Sequence, residues 1–343
     1  MKAVSVVIPC YNATQFLDKC IKQLVHQTIG IENMEIILVD DASTDNGATW
    51  NLISDYERQF PDTIIAVSLE QNMRQGGSRN VGVSYASGEY IQFCDADDWL
   101  LEEALEHCYR AAKEYDADVV EFLNTDVDNH DIVVELVKGS RNEFIVLETE
   151  EQRKEFLLRM DGRLTLGSQR KFCRLSMVRE NHLAFAEHLI FEEPSFMLPL
   201  RLYEKRHYFL DEVLYVNYLS QGSTVRGDWG VHKWDNPQVW MHLMDDLESR
   251  GLFKKYYSEL EYLFMRWGLG LSIRMTLQKG YVITKQELLI LIHMVLRMFP
   301  DVRKNKYLTK KKDLWDSLML KLLDVEITDE SVSVINDILY KYV

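Results

Sequence analysis

The chain is short of positive charge, of cysteine and of long apolar runs, and each shortage removes a class of function. Lys and Arg number 39 against 54 Asp and Glu, a formal net charge of −15 over 343 residues. That balance opposes nucleic-acid binding, which needs a basic field over phosphates. An anionic substrate would need local help from a metal or a few arginines. The five cysteines, Cys10, Cys20, Cys94, Cys108 and Cys173, are odd in number and contain no C-x-x-C pair. Neither a disulfide framework nor a zinc cage is expected, and a reducing, cytoplasmic setting fits. The apolar start, Ala3 to Cys10, runs straight into a turn without a small-residue cleavage site, and reads as a strand rather than a signal peptide. Leu288 to Phe299 is interrupted by His293 and Arg297 and falls short of the roughly 20 residues that span a bilayer. No G-x-G-x-x-G follows a strand and no H-E-x-x-H occurs, so dinucleotide and zinc-protease patterns drop out. No repeat of fixed period and no low-complexity tract is present.

What is present is globular composition, 47% hydrophobic and 27% charged, enough for one large core and a second smaller layer. Short β-branched runs at Val4–Ile8, Glu35–Asp40, Ile64–Leu69, Tyr90–Asp95 and Asp118–Leu123 are separated by segments of helical spacing. Phe16, Leu17, Cys20, Ile21, Leu24 and Val25 predict one apolar helix face packed on a sheet. The pattern is βαβ, with parallel strands and right-handed crossovers. Beyond Asp126 a polar stretch leads to a predicted hairpin around Lys138–Arg141 and a helix through Glu150–Met160. From Asp235 onward the chain reads as helices. The expected division is 1–230, in two halves, 1–125 and 126–230, followed by a helical domain, 231–343. The basic run Arg303–Lys312 reads as a solvated loop, with an anionic membrane or partner surface as its alternative.

Chemistry concentrates where predicted strands end: Pro9-Cys10-Tyr11-Asn12, Asp40-Asp41-Ala42-Ser43-Thr44-Asp45 and Asp95-Ala96-Asp97-Asp98. This is the edge at which open α/β sheets bind ligands. Any one cluster alone reads as an Asp- and Asn-rich turn, whereas three together point to a site. Asp95 and Asp97, on one side of an extended chain, suit a hard divalent cation that would bring an acidic protein to a diphosphate. One could accept from a ribose hydroxyl while the other ligates Mg²⁺ or Mn²⁺.

VSVVIPCYN, ILVDDASTD, the stretch from Asn72 through Gly76-Gly77-Ser78-Arg79-Asn80 to Gly82, and CDADDW resemble the family 2 glycosyltransferases in order and spacing over roughly residues 4 to 100. The resemblance implies a GT-A fold: α/β, Rossmann-like, mostly parallel, flanked by helices, here with a C-terminal helical domain. It implies that Pro9, Tyr11 and Asp41 line the nucleotide base, with Tyr11 stacking on it and Asp41 accepting from a uracil imide. Asn72 and Arg79 would approach the nucleotide, or Arg79 would tie the sheet together. Asp95 would contact the ribose, Ala96 would lie between the two acids, and Asp97 would hold the metal. Asp98 would support them or cap a helix opened by Trp99-Leu100. Gly76, Gly77 and Gly82 would permit close backbone approach or positive φ.

His188–Leu200 resembles the family segment in which the second acid of a Glu-Asp pair is the general base. Here the pair is Glu192-Glu193 followed by Pro194, so Glu193 is the candidate base, with Glu192 its alternative and ordinary first-turn acids the plain reading. Leu214–Gly227 resembles the next strand and loop, with Tyr218 and Ser220 where relatives often carry Arg and His, and with Ser223, Thr224 and Arg226 as donors to a diphosphate. His188 and the other histidines read as packing or surface residues. The expectation is an inverting transferase that moves a sugar from a UDP-linked donor to a hydroxyl of a glycan, lipid-linked or protein-linked acceptor, cytoplasmic or peripheral at the inner membrane face. The C-terminal helices would shape the acceptor site, pair two subunits, or hold the enzyme near its acceptor. A catalytically inactive nucleotide-binding scaffold and a sugar nucleotidyltransferase are the alternatives. The second would need a Gly-rich phosphate loop that PCYNATQF lacks.

Overall fold

A computed structural model of the chain describes residues 2–159, 165–219, 230–310 and 313–342. The chain divides into two compact units, Met1–Ser223 and Thr224–Val343.

In the first unit, β1 (Val4–Cys10) and β2 (Met34–Asp40) are buried at every position. Helices cover both faces of this sheet, which is why these strands read as unbroken apolar runs rather than alternating ones. β3 (Ile64–Ser68) and β4 (Tyr90–Phe93) extend the parallel set: β2 pairs β3, and β1 pairs both β2 and β4. The remaining strands are β5 (Trp99–Leu100), β6 (Val119–Val127), β7 (Val137–Lys138), β8 (Glu143–Val146), β9 (Lys171–Arg174) and β10 (Arg206–Tyr218). The sheet runs β3-β2-β1-β4-β9-β6-β10-β5, with β9 antiparallel to both its neighbours.

Helices α1 (Leu17–Val25), α2 (Ala48–Gln59), α3 (Arg74–Tyr85), α4 (Ala104–Glu114), α5 (Glu150–Leu158), α6 (Leu175–Glu180) and α7 (Glu193–Tyr203) complete the unit. One large core gathers Ile8, Leu17, Ile21, Leu105 and Phe122, and another gathers Val7, Ile91, Val178, Phe196 and Leu200. The apolar face expected on α1 is buried through Leu17, Cys20, Ile21 and Leu24. A Cβ on Gly82 would overlap the Val7 side chain, so α3 lies on β1 at a separation only glycine permits.

Two local expectations in this unit are corrected. The strands flanking Lys138–Arg141 do not pair as a hairpin. β7 and β8 each pair antiparallel with β10. Between them the chain detours around Asp211, whose backbone oxygen accepts from Gly139 N–H at 2.6 Å and whose carboxylate accepts from Arg141 N–H at 2.9 Å. Trp99-Leu100 opens no helix: it is β5, antiparallel to Tyr215 and Val216 of β10, and α4 starts at Ala104. Two large apolar residues after an acid also suit a buried two-residue strand.

The second unit holds α8 (Asp235–Ser249), α9 (Tyr257–Leu263), a π-helical segment (Phe264–Gly270), α10 (Leu271–Gln278), α11 (Lys285–Met298), α12 (Lys306–Lys310), α13 (Leu314–Leu322) and α14 (Asp329–Tyr340). A π turn leaves carbonyls outside the regular ladder. Buried Asn236 meets them, donating to Trp267 O at 2.8 Å and Gly268 O at 3.2 Å. Thr284 caps α11 in a reciprocal box with Glu287. The basic run is not the loop expected from its charge: it runs through a 3₁₀ turn (Val302–Lys304) and α12, with Asn305 and Leu308 buried, while Arg303 pairs with Asp324 at 2.6 Å and Lys304 with Asp301 at 2.8 Å. No helix among the described residues is long and apolar enough to cross a membrane.

Candidate active site at the strand ends

The parallel strands deliver their C-terminal residues to one edge. Pro9 is buried within β1, and the Cys10 carbonyl accepts from Asp41 N–H at 2.8 Å. The next two residues turn outward. Tyr11 is 48% exposed, its hydroxyl 3.4 Å from Thr44 Oγ1, so a ring face is available to a planar base. Asn12 at φ 49°, Ala42 at φ 54° and Arg74 at φ 64° hold left-handed backbone in the loops that border this edge. Strained non-glycine residues of this kind gather where a site fixes its loops.

Asp41 is buried, and its Oδ1 accepts from Met73 N–H at 2.7 Å. Burial lifts its pKa above the ordinary aspartate value despite that bond. Asn72 donates to the Asp41 carbonyl at 3.1 Å, so the loop before α3 is tied to the end of β2.

β4 ends at Phe93, and Asp95 to Asp98 form a tight turn closed by Asp98 N–H on Asp95 O at 3.1 Å. Strand alternation therefore does not govern Asp95 and Asp97, contrary to the expectation from an extended chain. Ala96 is buried between them, while Asp95 and Asp97 are each half-buried. Asp98 caps no helix. Its carboxylate accepts from Tyr215 OH at 2.6 Å and Tyr218 N–H at 2.7 Å, and the same Tyr215 oxygen accepts from Asp95 N–H at 3.1 Å. Burial, with the charges of Asp95 and Asp97, pushes the Asp98 pKa up to about 9. A buried phenol on β10 thus braces both ends of the turn.

Arg79, on α3 and 2% exposed, joins this turn to the segment before α7. Its Nη2 donates to Asp95 Oδ1 at 2.6 Å and its Nη1 to Glu192 Oε1. Burial opposes its charge, but Asp95, Glu192 and Glu193 outweigh burial and raise its pKa above the ordinary arginine value. A Cβ on Gly76, one turn earlier, would overlap the Ala186 carbonyl oxygen, so the glycine lets α3 approach the Glu192 segment.

Glu192 is thereby committed to a buried ion pair, whereas Glu193 is not. Glu193 opens α7, its Oε1 accepting from Ser168 N–H at 2.7 Å and Ser168 Oγ at 2.9 Å. Burial and the neighbouring Glu192 charge raise its pKa above the ordinary glutamate value. Sequence reading missed Ser168 and Tyr215. Ser168 carried no signal in S-Q-R, and Tyr215 was one aromatic in a predicted strand. Ser220, Ser223, Thr224 and Arg226 lie outside the described residues. Among the described residues no three His, Cys, Asp or Glu side chains converge into a metal cage. The turn offers oxygen ligands only, one or two carboxylates, which suits a hard cation that takes its other ligands from phosphates and water.

An open α/β sheet with acids at its strand ends and a buried arginine bridging them is the frame of a GT-A domain. Residues 5–160 match the model of glycosyl transferase family 2. It is 29% identical over 188 residues to the poly(ribitol-phosphate) beta-glucosyltransferase of Bacillus spizizenii, 54% of this chain and 27% of that protein. It is 36% identical over 124 residues to the poly(ribitol-phosphate) beta-N-acetylglucosaminyltransferase TarP of Staphylococcus aureus, 35% of this chain and 36% of that one. The chain thus spans about a third or less of these relatives' length. Crystalline S. aureus TarS 1-349 in complex with UDP-GlcNAc matches all of this chain and 91% of its own, with TM-score 0.70 and 20% identity, and so shares the fold.

Proposed function

We propose that the chain is an inverting glycosyltransferase that moves a sugar from a UDP-linked donor to a hydroxyl of a bacterial surface glycan or polyol polymer. The observation that carries this reading is Arg79, which joins the Asp95–Asp98 turn to the Glu192-Glu193 segment. One buried guanidinium thereby registers a nucleotide-side turn against a base-side helix.

Tyr11 and Asp41 would receive the base, and Asp95 the ribose. A divalent cation held at Asp97, with Asp95 beside it, would neutralise charge on the departing diphosphate. Glu193 would take the acceptor hydroxyl's proton as that oxygen forms its bond to the anomeric carbon. The bond from that carbon to the diphosphate oxygen breaks on the opposite face, and UDP leaves with the electron pair. Configuration inverts. Because the Glu193 pKa is raised, the acid limb of kcat should lie above the ordinary glutamate value, with rate lost as pH falls through it. The names of the relatives support a polyol-phosphate or glycan acceptor.

The test is calorimetric titration of UDP and GDP with Mn²⁺ and with EDTA, followed by UDP release from UDP-glucose and UDP-N-acetylglucosamine. Metal-dependent UDP binding with UDP release supports the reading. Binding without release under any donor and acceptor leaves a nucleotide-binding scaffold, and no binding sinks the Asp41, Asp95 and Asp97 assignments.

A further inference from the structure

The fold buries an ion pair away from the strand-end turn. Lys171, first residue of β9, and Glu121 on β6 are both fully buried, with Nζ 3.0 Å from Oε1. Burying such a pair is not by itself stabilising, since desolvation offsets most of the attraction. Its surroundings show what it holds. Lys171 Nζ also donates to Gly167 O at 2.8 Å, and Glu121 Oε1 accepts from Thr165 N–H at 2.8 Å. The pair therefore grips both sides of the short segment that enters the Ser168–Arg170 turn.

That turn is fastened again from two strands. Gln92 on β4 donates to Gln169 O at 2.7 Å, and Arg170 donates through Nε to Phe122 O of β6 at 2.8 Å. Toward α7 the turn presents Ser168, 1% exposed, whose N–H and hydroxyl both reach Glu193 Oε1. Two donors on one oxygen fix the carboxylate's rotation and leave Oε2 as its proton-accepting atom.

We propose that Ser168 is the positioning residue of the general base, held in place by the buried Glu121–Lys171 pair, so that Glu193 presents Oε2 to the acceptor hydroxyl. This rests on the reading of Glu193 as the base. Oriented groups act faster than free ones because the productive geometry is set before the reaction. The charged groups facing Glu193 are Glu192 on its own segment, Arg79 from α3 and Asp95 beyond β4. Ser168 is the neutral donor among them, and its removal changes the carboxylate's hydrogen bonding without altering the charge count.

The test uses the full chain in native form and as Ser168→Ala and Glu193→Gln. Carboxyl-carbon NMR of glutamate-labelled protein follows each titration, Glu193 being the resonance missing from Glu193→Gln. UDP release from UDP-glucose and UDP-N-acetylglucosamine is measured in parallel, with UDP binding as the check that each variant is folded. A donor that favours the charged form lowers a carboxyl pKa, so Ser168→Ala should raise that of Glu193, by up to about one unit. Its kcat should fall on the order of tenfold at unchanged donor KM. An unmoved Glu193 resonance in Ser168→Ala overturns the positioning role while leaving the base reading intact. A Glu193→Gln variant that still releases UDP at the native rate overturns the base reading, and the titration still judges the Ser168 contact.

Discussion

In the sheet unit the buried charges answer one another across elements: Arg79 of α3 spans Asp95 and Glu192, and Lys171 of β9 meets Glu121 of β6. In the helical unit an ion pair to a buried acid, Arg266 to Asp316 at 2.9 Å, keeps its arginine about a third exposed, and buried Asn236 and Asn336 bond the backbone. Asn236 satisfies carbonyls of the π turn, and Asn336 holds both Ile283 N–H at 3.0 Å and Ile283 O at 2.9 Å. A buried charge that loses its partner is left uncompensated, whereas a lost amide leaves a neutral group unsatisfied. The first arrangement suits a site that must hold charge in register, and the second suits helices that must keep an irregular turn.

Substitutions can sharpen or break that contrast. The largest effect should come from Asp97→Ala, which by the proposed metal role lowers turnover about a hundredfold or more and removes the Mn²⁺ dependence of UDP binding by calorimetry. Thermal unfolding should barely change. Arg79→Met leaves three acids facing one another without a cation, and should destabilise the protein by about 3–5 kcal/mol in denaturant titrations while abolishing UDP binding. Equal loss from Arg79→Lys would show that the two-sided fork matters and that charge alone does not replace it. Asn236→Ala exposes the π-turn carbonyls to an apolar core and should lower stability by about 1–3 kcal/mol with UDP affinity retained. Should it instead remove nucleotide binding at full stability, the contrast between the units fails. Smallest is Thr284→Ala, which removes the α11 cap for about 1 kcal/mol, read as a lower unfolding midpoint.

The sheet unit was legible because its strands are buried on both faces and its helices are amphipathic, so two periodicities alternate cleanly over residues 4 to 123. The strand-end acids were legible as a group, while their geometry was not. Asp95 and Asp97 were read on an extended strand, but the backbone closes a turn there. Of the two roles open to Asp98, support of its neighbours or a helix cap, the cap rested on Trp99-Leu100 reading as a helix start. The strand partner that claims those two residues is more than a hundred positions away on β10. The same distance hid the pairing of β7 and β8 with β10. Glu192 and Glu193 carry identical chemistry in sequence. What separates them is a guanidinium from α3 on one and a serine from the turn before β9 on the other. Long-range partners of this kind leave no periodic trace.

The fit of Gly76 beneath the Ala186 carbonyl bears on how such a protein can be recombined. The family motif invites a cut near residue 100, with one enzyme's nucleotide half grafted onto another's acceptor half. A graft there would bring together a helix and a loop that meet without room for a single methyl group, and an arginine whose two acids come from opposite sides of the cut. A working hybrid must inherit Gly76, Arg79, Ala186 and Glu192 as one set. The smallest exchangeable module is therefore defined by that junction and not by the boundary the motifs suggest.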